Sequence, residues 1–159
     1  MSAKKLNIVI AGATGFVGLD LIKFLSNHPK VKIKYLCAQK NIGKKIQYFD
    51  KRITKNLPKI SKLKSVDWTM IDILFTALPN GESQIISKTL VNKKLKIIDL
   101  SADFRLSDSS VYKKFYGREH MAKKLINNSI YALSEFTKNK LKKFKIIACP
   151  GCYPTSIHG

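Results

Sequence analysis

Leu6-Asn7-Ile8-Val9-Ile10-Ala11-Gly12-Ala13-Thr14-Gly15-Phe16-Val17-Gly18 is the stretch that decides the fold. The apolar run over residues 5–11 reads as a short strand. From Phe16 the apolar residues return at helical spacing, at Phe16, Val17, Leu21, Ile22, Phe24 and Leu25. Between strand and helix the glycines follow a G-x-x-G-x-x-G spacing. Gly12 allows a tight turn, Gly15 lets a pyrophosphate approach the backbone, and Gly18 lets the helix lie close on the sheet. The helix N-terminus offers N–H donors to an anion. The arrangement predicts a dinucleotide-binding turn in which Gly12, Ala13, Thr14, Gly15, Phe16, Val17 and Gly18 meet the cofactor.

Further along, Asn27-His28-Pro29 stops the helix. Residues 31–37 alternate apolar side chains with lysine, a second strand. Residues 39–65 are lysine-rich and read as loop with short elements. Residues 71–78 form a continuous apolar run, as in a strand buried on both faces. Pro79-Asn80-Gly81 turns the chain into a helix over 82–91, with Ile85, Ile86 and Leu90 inward. Residues 95–100 form another strand, 107–128 an irregular region with short helices, and 141–148 lead to a last strand. This alternation predicts an α/β chain with a Rossmann-like, doubly wound, mostly parallel sheet. Ligands of such sheets bind beyond the carboxyl ends of the strands, the edge to which the glycine turn, the Leu78-Pro79 turn, the Ser101 loop and Cys152 all belong.

An NAD site calls for an acidic residue at the end of the second strand, to hold the ribose 2′-hydroxyl. Tyr35-Leu36-Cys37-Ala38-Gln39-Lys40 offers none, and Lys40, Lys44 and Lys45 follow. Lysines there suit a 2′-phosphate, so NADP is the expected cofactor, with Lys40 as a contact. The alternative is that they belong to a generally lysine-rich surface.

The end of the chain reads Ile146-Ile147-Ala148-Cys149-Pro150-Gly151-Cys152-Tyr153-Pro154-Thr155. An apolar run breaks at Pro150-Gly151 and delivers Cys152, and Pro154 can open a helix. A thiol at such a hinge sits among unpaired N–H groups at the positive end of a helix dipole. Both favour thiolate, and such a site pulls a free thiol down from about 8.5 by a unit or more. Cys152 is therefore the expected nucleophile. The cysteines are Cys37, Cys149 and Cys152, an odd count that fits reduced thiols. Cys149 and Cys152 make a C-x-x-C, open to reading as a redox pair or half a zinc site. His28, His120 and His158 are the only histidines, so no metal is expected, and Cys149 is read as a small packed residue.

At 159 residues the chain is long enough for a core that buries about 70% of its unfolded surface. The expected organisation is a nucleotide-binding domain over residues 1–151 and the start of a catalytic domain, cut short, over 152–159. No apolar run approaches the ~20 residues of a membrane span, and the basic, then apolar, start is too short for a signal peptide. A cytoplasmic protein is expected. Net charge is +20, from 30 Lys+Arg against 10 Asp+Glu. The lysines are spread along the whole chain, and Arg52, Arg105 and Arg118 are the only arginines. That pattern suits a solvated surface better than a specific nucleic-acid face. A non-catalytic basic binding module is the alternative of a different class.

With these residues in hand, the chain resembles the N-acetyl-γ-glutamyl-phosphate reductases of arginine biosynthesis. The matching segments are the glycine turn, His28-Pro29, Ala77-Leu78-Pro79-Asn80-Gly81, Asp99-Leu100-Ser101-Ala102-Asp103-Phe104-Arg105-Leu106 and Pro150-Gly151-Cys152-Tyr153-Pro154-Thr155. Departures are Cys149 where the family has Asn, Asn80 where it has His, and Tyr131-Ala132-Leu133-Ser134-Glu135 for Tyr-Gly-Leu-Pro-Glu. The resemblance implies that the Cys152 thiolate attacks an acyl phosphate and expels phosphate. NADPH then reduces the thioester to a semialdehyde. It also implies that Ala77, Leu78 and Pro79 line the cofactor, that the full-length enzyme is a homo-oligomer, and that the general base lies beyond Gly159. Arg105 is a candidate for the substrate's carboxylate or phosphate, or else pairs with Asp103 or Asp99. Ser101 either caps a turn or touches the nicotinamide. Aspartate-semialdehyde dehydrogenases and the lysine-pathway relative share the fold and the thiol chemistry and are the same-class alternatives.

Overall fold

Strand β1 (Leu6–Ala11) lies between two neighbours, which is why Ile8, Val9 and Ile10 are wholly buried. The computed structural model describes residues 4–133, 137–152 and 156. The chain divides into two units, Met1–Ala77 and Leu78–Gly159.

In the first unit, β1 leads through the glycine turn into helix α1 (Phe16–Ser26), then β2 (Val31–Cys37), β3 (Ile60–Ser61) and β4 (Ile73–Thr76). The strand order is β3-β2-β1-β4, and every pair is parallel. Register along β1 and β2 slips between Ile8↔Ile33 and Val9↔Tyr35, so Lys34 is the extra residue of a bulge. The slip ends the apolar–lysine alternation of β2 and lets Leu36 and Cys37 both be buried. The fourth strand is shorter than the apolar run 71–78 predicts. Asp72 accepts the Asn7 N–H at 2.7 Å, and ladder pairing with β1 starts only at Ile73. The lysine-rich stretch before it holds only short 3₁₀ turns and β3, yet Ile46, Ile53 and Ile60 on it are each 1% exposed and anchor it to the core.

The second unit runs α2 (Glu82–Leu90), β5 (Lys96–Asp99), α3 (Ser109–Tyr116), α4 (Lys123–Ile126), β6 (Ser129–Tyr131) and β7 (Ile146–Ala148). β7 comes last in the chain but lies between β5 and β6, parallel to both, with Ile146 and Ala148 fully buried. β6 has no counterpart in the sequence reading. It is three residues long, pairs on one side only among the described strands, and shows no alternation to read.

One expectation about an apolar face is corrected, and a second apolar pattern, that of α1, is only partly buried. Ile85 is 56% exposed rather than inward, and the buried face of α2 is Ser83, Gln84, Ser87 and Leu90. On α1, Phe16, Val17 and Phe24 are exposed, and the buried residues are Gly18 and Ile22. Hydrogen bonds made by Gln84, described below, account for the first. For the second, the close approach is made by glycine, so the helix rests on Gly18 and Ile22. Among the described residues no helix is long and apolar enough to cross a membrane.

Candidate active site

The glycine turn is built by backbone hydrogen bonds. Gly12 N–H and Ala13 N–H both donate to the Cys37 carbonyl, at 2.9 and 3.0 Å, and Gly15 N–H donates to the Gly12 carbonyl at 3.1 Å. Gly12 has φ +84°, the left-handed region that favours glycine. A Cβ on Gly18 would stand 2.1 Å from the Gly12 carbonyl oxygen, so only glycine lets α1 sit on the turn. Ala13 is buried, Thr14 is half-buried, and Gly15, Phe16 and Val17 face outward. No side chain caps the N-terminus of α1 and no acidic residue lies in its first turn. Its N–H groups and positive dipole end suit a pyrophosphate, so the residues present fit a dinucleotide. Lys40 is exposed in the loop after β2. Lys44 instead lays its ammonium 4.3 Å from the Tyr48 ring centroid. Ala77 N–H continues the β1 ladder by donating to the Ala11 carbonyl at 2.9 Å.

In the second unit the N-terminus of α2 is closed by a residue far along the chain. Both Asp103 carboxylate oxygens accept the Gly81 N–H, at 2.8 and 2.9 Å, and Oδ2 also accepts the Gln84 N–H at 3.2 Å. Oδ1 further accepts from Gln84 Nε2 at 3.0 Å and from the Tyr112 hydroxyl at 2.9 Å. Gly81 has φ +94°, and Arg118 Nη1 donates to the Asn80 carbonyl at 3.0 Å. The Pro79-Asn80-Gly81 turn is thus tied on both sides, while Leu78 is half-buried and Pro79 exposed. Gln84 completes the network by donating to the Tyr112 oxygen at 2.8 Å and accepting the Met121 N–H at 2.6 Å. Burial, with Asp103 next, pushes the Tyr112 hydroxyl up to about 12, so it stays a donor.

His120 is the other buried member. Its Nδ1 accepts the Ala122 N–H at 3.2 Å, which leaves Nε2 to donate to the Asp103 carbonyl at 2.8 Å, so the ring is neutral. Burial lowers its pKa below 6.5. Asp103 and Asp99 oppose that shift, and Lys123 assists it. A lowered folded pKa gives stability that is present above pH ~6.5 and lost as pH falls through the folded value. The thermal midpoint is expected to drop between pH 7 and 5, and to drop less steeply in His120→Asn. Equal slopes would contradict the assignment.

The 100–105 loop and the last strand meet next. Ser101 N–H and hydroxyl both donate to Asp99 Oδ1, at 3.1 and 2.7 Å, and the hydroxyl oxygen accepts the Asp103 N–H at 3.1 Å. The Ser101 side chain is buried and shapes the turn. Arg105 bonds to two backbone carbonyls. Its Nε donates to the Cys149 carbonyl at 2.9 Å, and an Nη donates to the Leu100 carbonyl at 3.2 Å. Cys149 N–H donates to the Asp99 carbonyl at 2.7 Å. Cys149 is half-buried, and burial followed by the Asp99 charge raises its thiol pKa. Cys37 is buried, and desolvation pushes it up to about 11. Cys152 is the exposed cysteine, at a helical position directly after Gly151. Pro154, expected to open a helix, lies outside the described residues, as do Tyr153, Thr155, His158, Ser134 and Glu135.

The structure therefore assembles Ser101, Arg105 and the Cys149–Cys152 segment in the second unit, which also holds Leu78 and Pro79. The glycine turn, Lys40 and Ala77 belong to the first. The Asp103–Gln84–Tyr112–His120 network escaped the sequence reading. Its only trace is that Asp103 lies within the Ser-Ala-Asp-Phe-Arg block.

The family model for the semialdehyde dehydrogenase NAD-binding domain matches residues 7–144. The N-acetyl-gamma-glutamyl-phosphate reductase of Ehrlichia ruminantium (strain Gardel) is 42% identical over 154 residues, 96% of this chain and 44% of that protein. The chain thus spans less than half the length of the curated relatives it matches. Crystal structures of two aspartate semialdehyde dehydrogenases share the fold. Enzyme II of Vibrio cholerae, complexed with ASA, has a TM-score of 0.66 at 17% identity, covering 97% of this chain and 44% of that one. The Candida albicans enzyme with NADP has a TM-score of 0.62 at 19% identity, covering 96% and 44%. A parallel α/β fold, an uncapped glycine turn and this match over residues 7–144 place the chain in the semialdehyde dehydrogenase NAD-binding domain family.

Proposed function

We propose that this chain carries the cofactor turn and the nucleophile of an NADP-dependent N-acetyl-γ-glutamyl-phosphate reductase acting in arginine biosynthesis. The carrying observation is Cys152, exposed at the hinge after β7 while Cys37 is buried and Cys149 half-buried. The Cys152 thiolate attacks the acyl carbon of N-acetyl-glutamyl 5-phosphate. A carbon–sulfur bond forms, the acyl–oxygen bond breaks, and phosphate leaves with the bonding pair. A thiolate is both a good nucleophile and a good leaving group, so one hard step becomes two easier ones. Bound NADPH supplies the hydride that takes the acyl group to the aldehyde level.

The chain's own residues hold and orient. The turn formed by Gly12, Ala13, Thr14, Gly15, Phe16, Val17 and Gly18 receives the pyrophosphate at the N-terminus of α1, the Gly12, Ala13 and Gly15 N–H groups being spent on shaping the turn. Lys40 meets the 2′-phosphate, and Ala77, Leu78 and Pro79 line the cofactor. Arg105, half-buried beside the Cys149 carbonyl, faces the substrate's anionic group. Ser101 has its hydroxyl bound within its own loop and supports Arg105. The acting form is a homo-oligomer in the cytoplasm, with a small acyl phosphate as substrate and no specific nucleic-acid partner.

Alkylation tests the reading. Iodoacetamide at pH 7 is expected to modify the exposed Cys152 about 100-fold faster than Cys37, since burial both shields the Cys37 thiol and pushes it up to about 11. N-acetyl-glutamyl phosphate should protect Cys152, and calorimetry should show NADP bound more tightly than NAD. The net charge of +20 gives the second reading, a basic binding module. It predicts steeply salt-dependent retention on DNA or RNA that Cys152→Ser leaves unchanged. That result, with no substrate protection of Cys152, would replace the enzyme reading.

A further inference from the structure

Strands β5 and β7 run side by side through Ile97↔Ile146, Ile98↔Ile147 and Asp99↔Ala148. One more rung follows, from Cys149 N–H to the Asp99 carbonyl at 2.7 Å. Past that rung the strands part, one into the 100–105 loop and the other into the hinge. Two carbonyls are left at the fork, those of Leu100 and Cys149, and both accept from Arg105. A guanidinium is planar and offers its donors in a fixed geometry, so it can bridge two acceptors on separate strands, and the positive charge strengthens each bond.

Arg105 is itself held. Ser101 is tied to Asp99, and Asp103 N–H to Ser101. Arg105 N–H donates to the Ala102 carbonyl at 3.4 Å, and Ala102, Asp103 and Phe104 are all buried. The Cys149 carbonyl belongs to the peptide plane that joins Pro150, whose ring fixes φ. Orienting that plane sets the direction in which Pro150-Gly151 carries Cys152 away from the sheet.

We infer that Arg105 is a positioning residue for the nucleophile, a cross-tie between the ends of β5 and β7 that aims the Cys149–Pro150 peptide and so presents Cys152. This rests on the proposal that Cys152 is the nucleophile, and it assigns Arg105 a task separate from any contact with substrate. It requires a fork, and charge alone does not meet the need.

The test is the pH profile of iodoacetamide alkylation of the full chain, resolved by peptide for each cysteine, in wild type, Arg105→Lys and Arg105→Leu. Arg105→Lys keeps the charge and replaces the planar fork with a point ammonium. The expected result in both variants is Cys152 alkylation slowed about tenfold with its pH midpoint raised by about one unit, a tenfold loss of thiolate at a given pH. Cys149 alkylation should rise as the last rung frays, and Cys37 should stay protected. A purely structural role would lower the melting temperature without moving the Cys152 midpoint.

Unchanged Cys152 and Cys149 profiles in Arg105→Lys and Arg105→Leu overturn the inference. So does full recovery by Arg105→Lys where Arg105→Leu fails, because charge would then suffice. If Arg105→Leu does not fold, Arg105→Lys decides alone. A wild-type Cys152 no faster than Cys37 would instead overturn the nucleophile reading, whatever the variants do.

Discussion

Replacing Asp103 by alanine costs the second unit about 4 kcal/mol of stability, the largest effect expected of any single substitution there. Asp103 is wholly buried and accepts from Gly81 N–H, Gln84 N–H, Gln84 Nε2 and the Tyr112 hydroxyl. Alanine leaves all of these without that acceptor, and Gln84 and Tyr112 are themselves wholly buried. Each stranded buried donor costs about 1–3 kcal/mol, and water entering the gap recovers part of the sum. The N-terminus of α2 also loses the negative charge that complements its dipole. Hydrogen exchange is the direct measurement. Protection of the Gly81 and Gln84 amides should fall by about 10³-fold if they exchange through opening of this unit. Asp103→Asn keeps one carbonyl oxygen but turns an NH₂ toward donors, and about 2 kcal/mol is expected. A loss below about 1 kcal/mol for Asp103→Ala would mean that the network does not hold the turn.

Gly18→Ala is the counterpart in the first unit. The new Cβ would meet the Gly12 carbonyl oxygen at 2.1 Å, the Gly12 carbonyl carbon at 3.0 Å and the Ala13 Cα at 3.1 Å. All three are backbone atoms, and the turn that carries them is held to the Cys37 carbonyl. Neither side can yield cheaply, so α1 must lift from the turn, at a cost of about 3 kcal/mol by denaturant unfolding. NADP binding should be lost with it. Gly15→Ala is the control. A Cβ at Gly15 lies at an ordinary 3.5 Å from the Gly12 carbonyl oxygen, and φ is −81°, open to any residue. Its stability should change by less than about 1 kcal/mol while NADP affinity falls, because the Cβ projects where a pyrophosphate would approach. If Gly15→Ala bound NADP as well as wild type, the pyrophosphate would not lie against that residue.

The first unit was the more legible in the sequence, and the reason is locality. The bounds of α1 and β2 follow from a period of 3.6 or 2 and from the Asn27-His28-Pro29 stop, all within a few residues of the feature they define. The turn is legible for the same reason, since three glycines at fixed spacing restrict a backbone however the rest folds. Ile46, Ile53 and Ile60 were harder to read, because single apolar residues among lysines show no period although each is buried.

The second unit depends on pairings that cross long stretches of chain. Gln84 has the composition of a surface position and Ile85 that of a core one, yet Gln84 is wholly buried and Ile85 is 56% exposed. What reverses them is a carboxylate 19 residues on from Gln84, with no spacing rule to announce it. Arg105 likewise invites an ion pair with a nearby aspartate but binds a carbonyl 44 residues away. The sequence by itself determined the strand–turn–helix opening and the parallel α/β class, because propensity and steric restriction act between near neighbours. Only the tertiary structure decided the order β5-β7-β6, the polar inward face of α2 and the tie from Arg105 to the hinge. A buried polar group is stable only where its partner's geometry is met, and that geometry exists once the chain has folded.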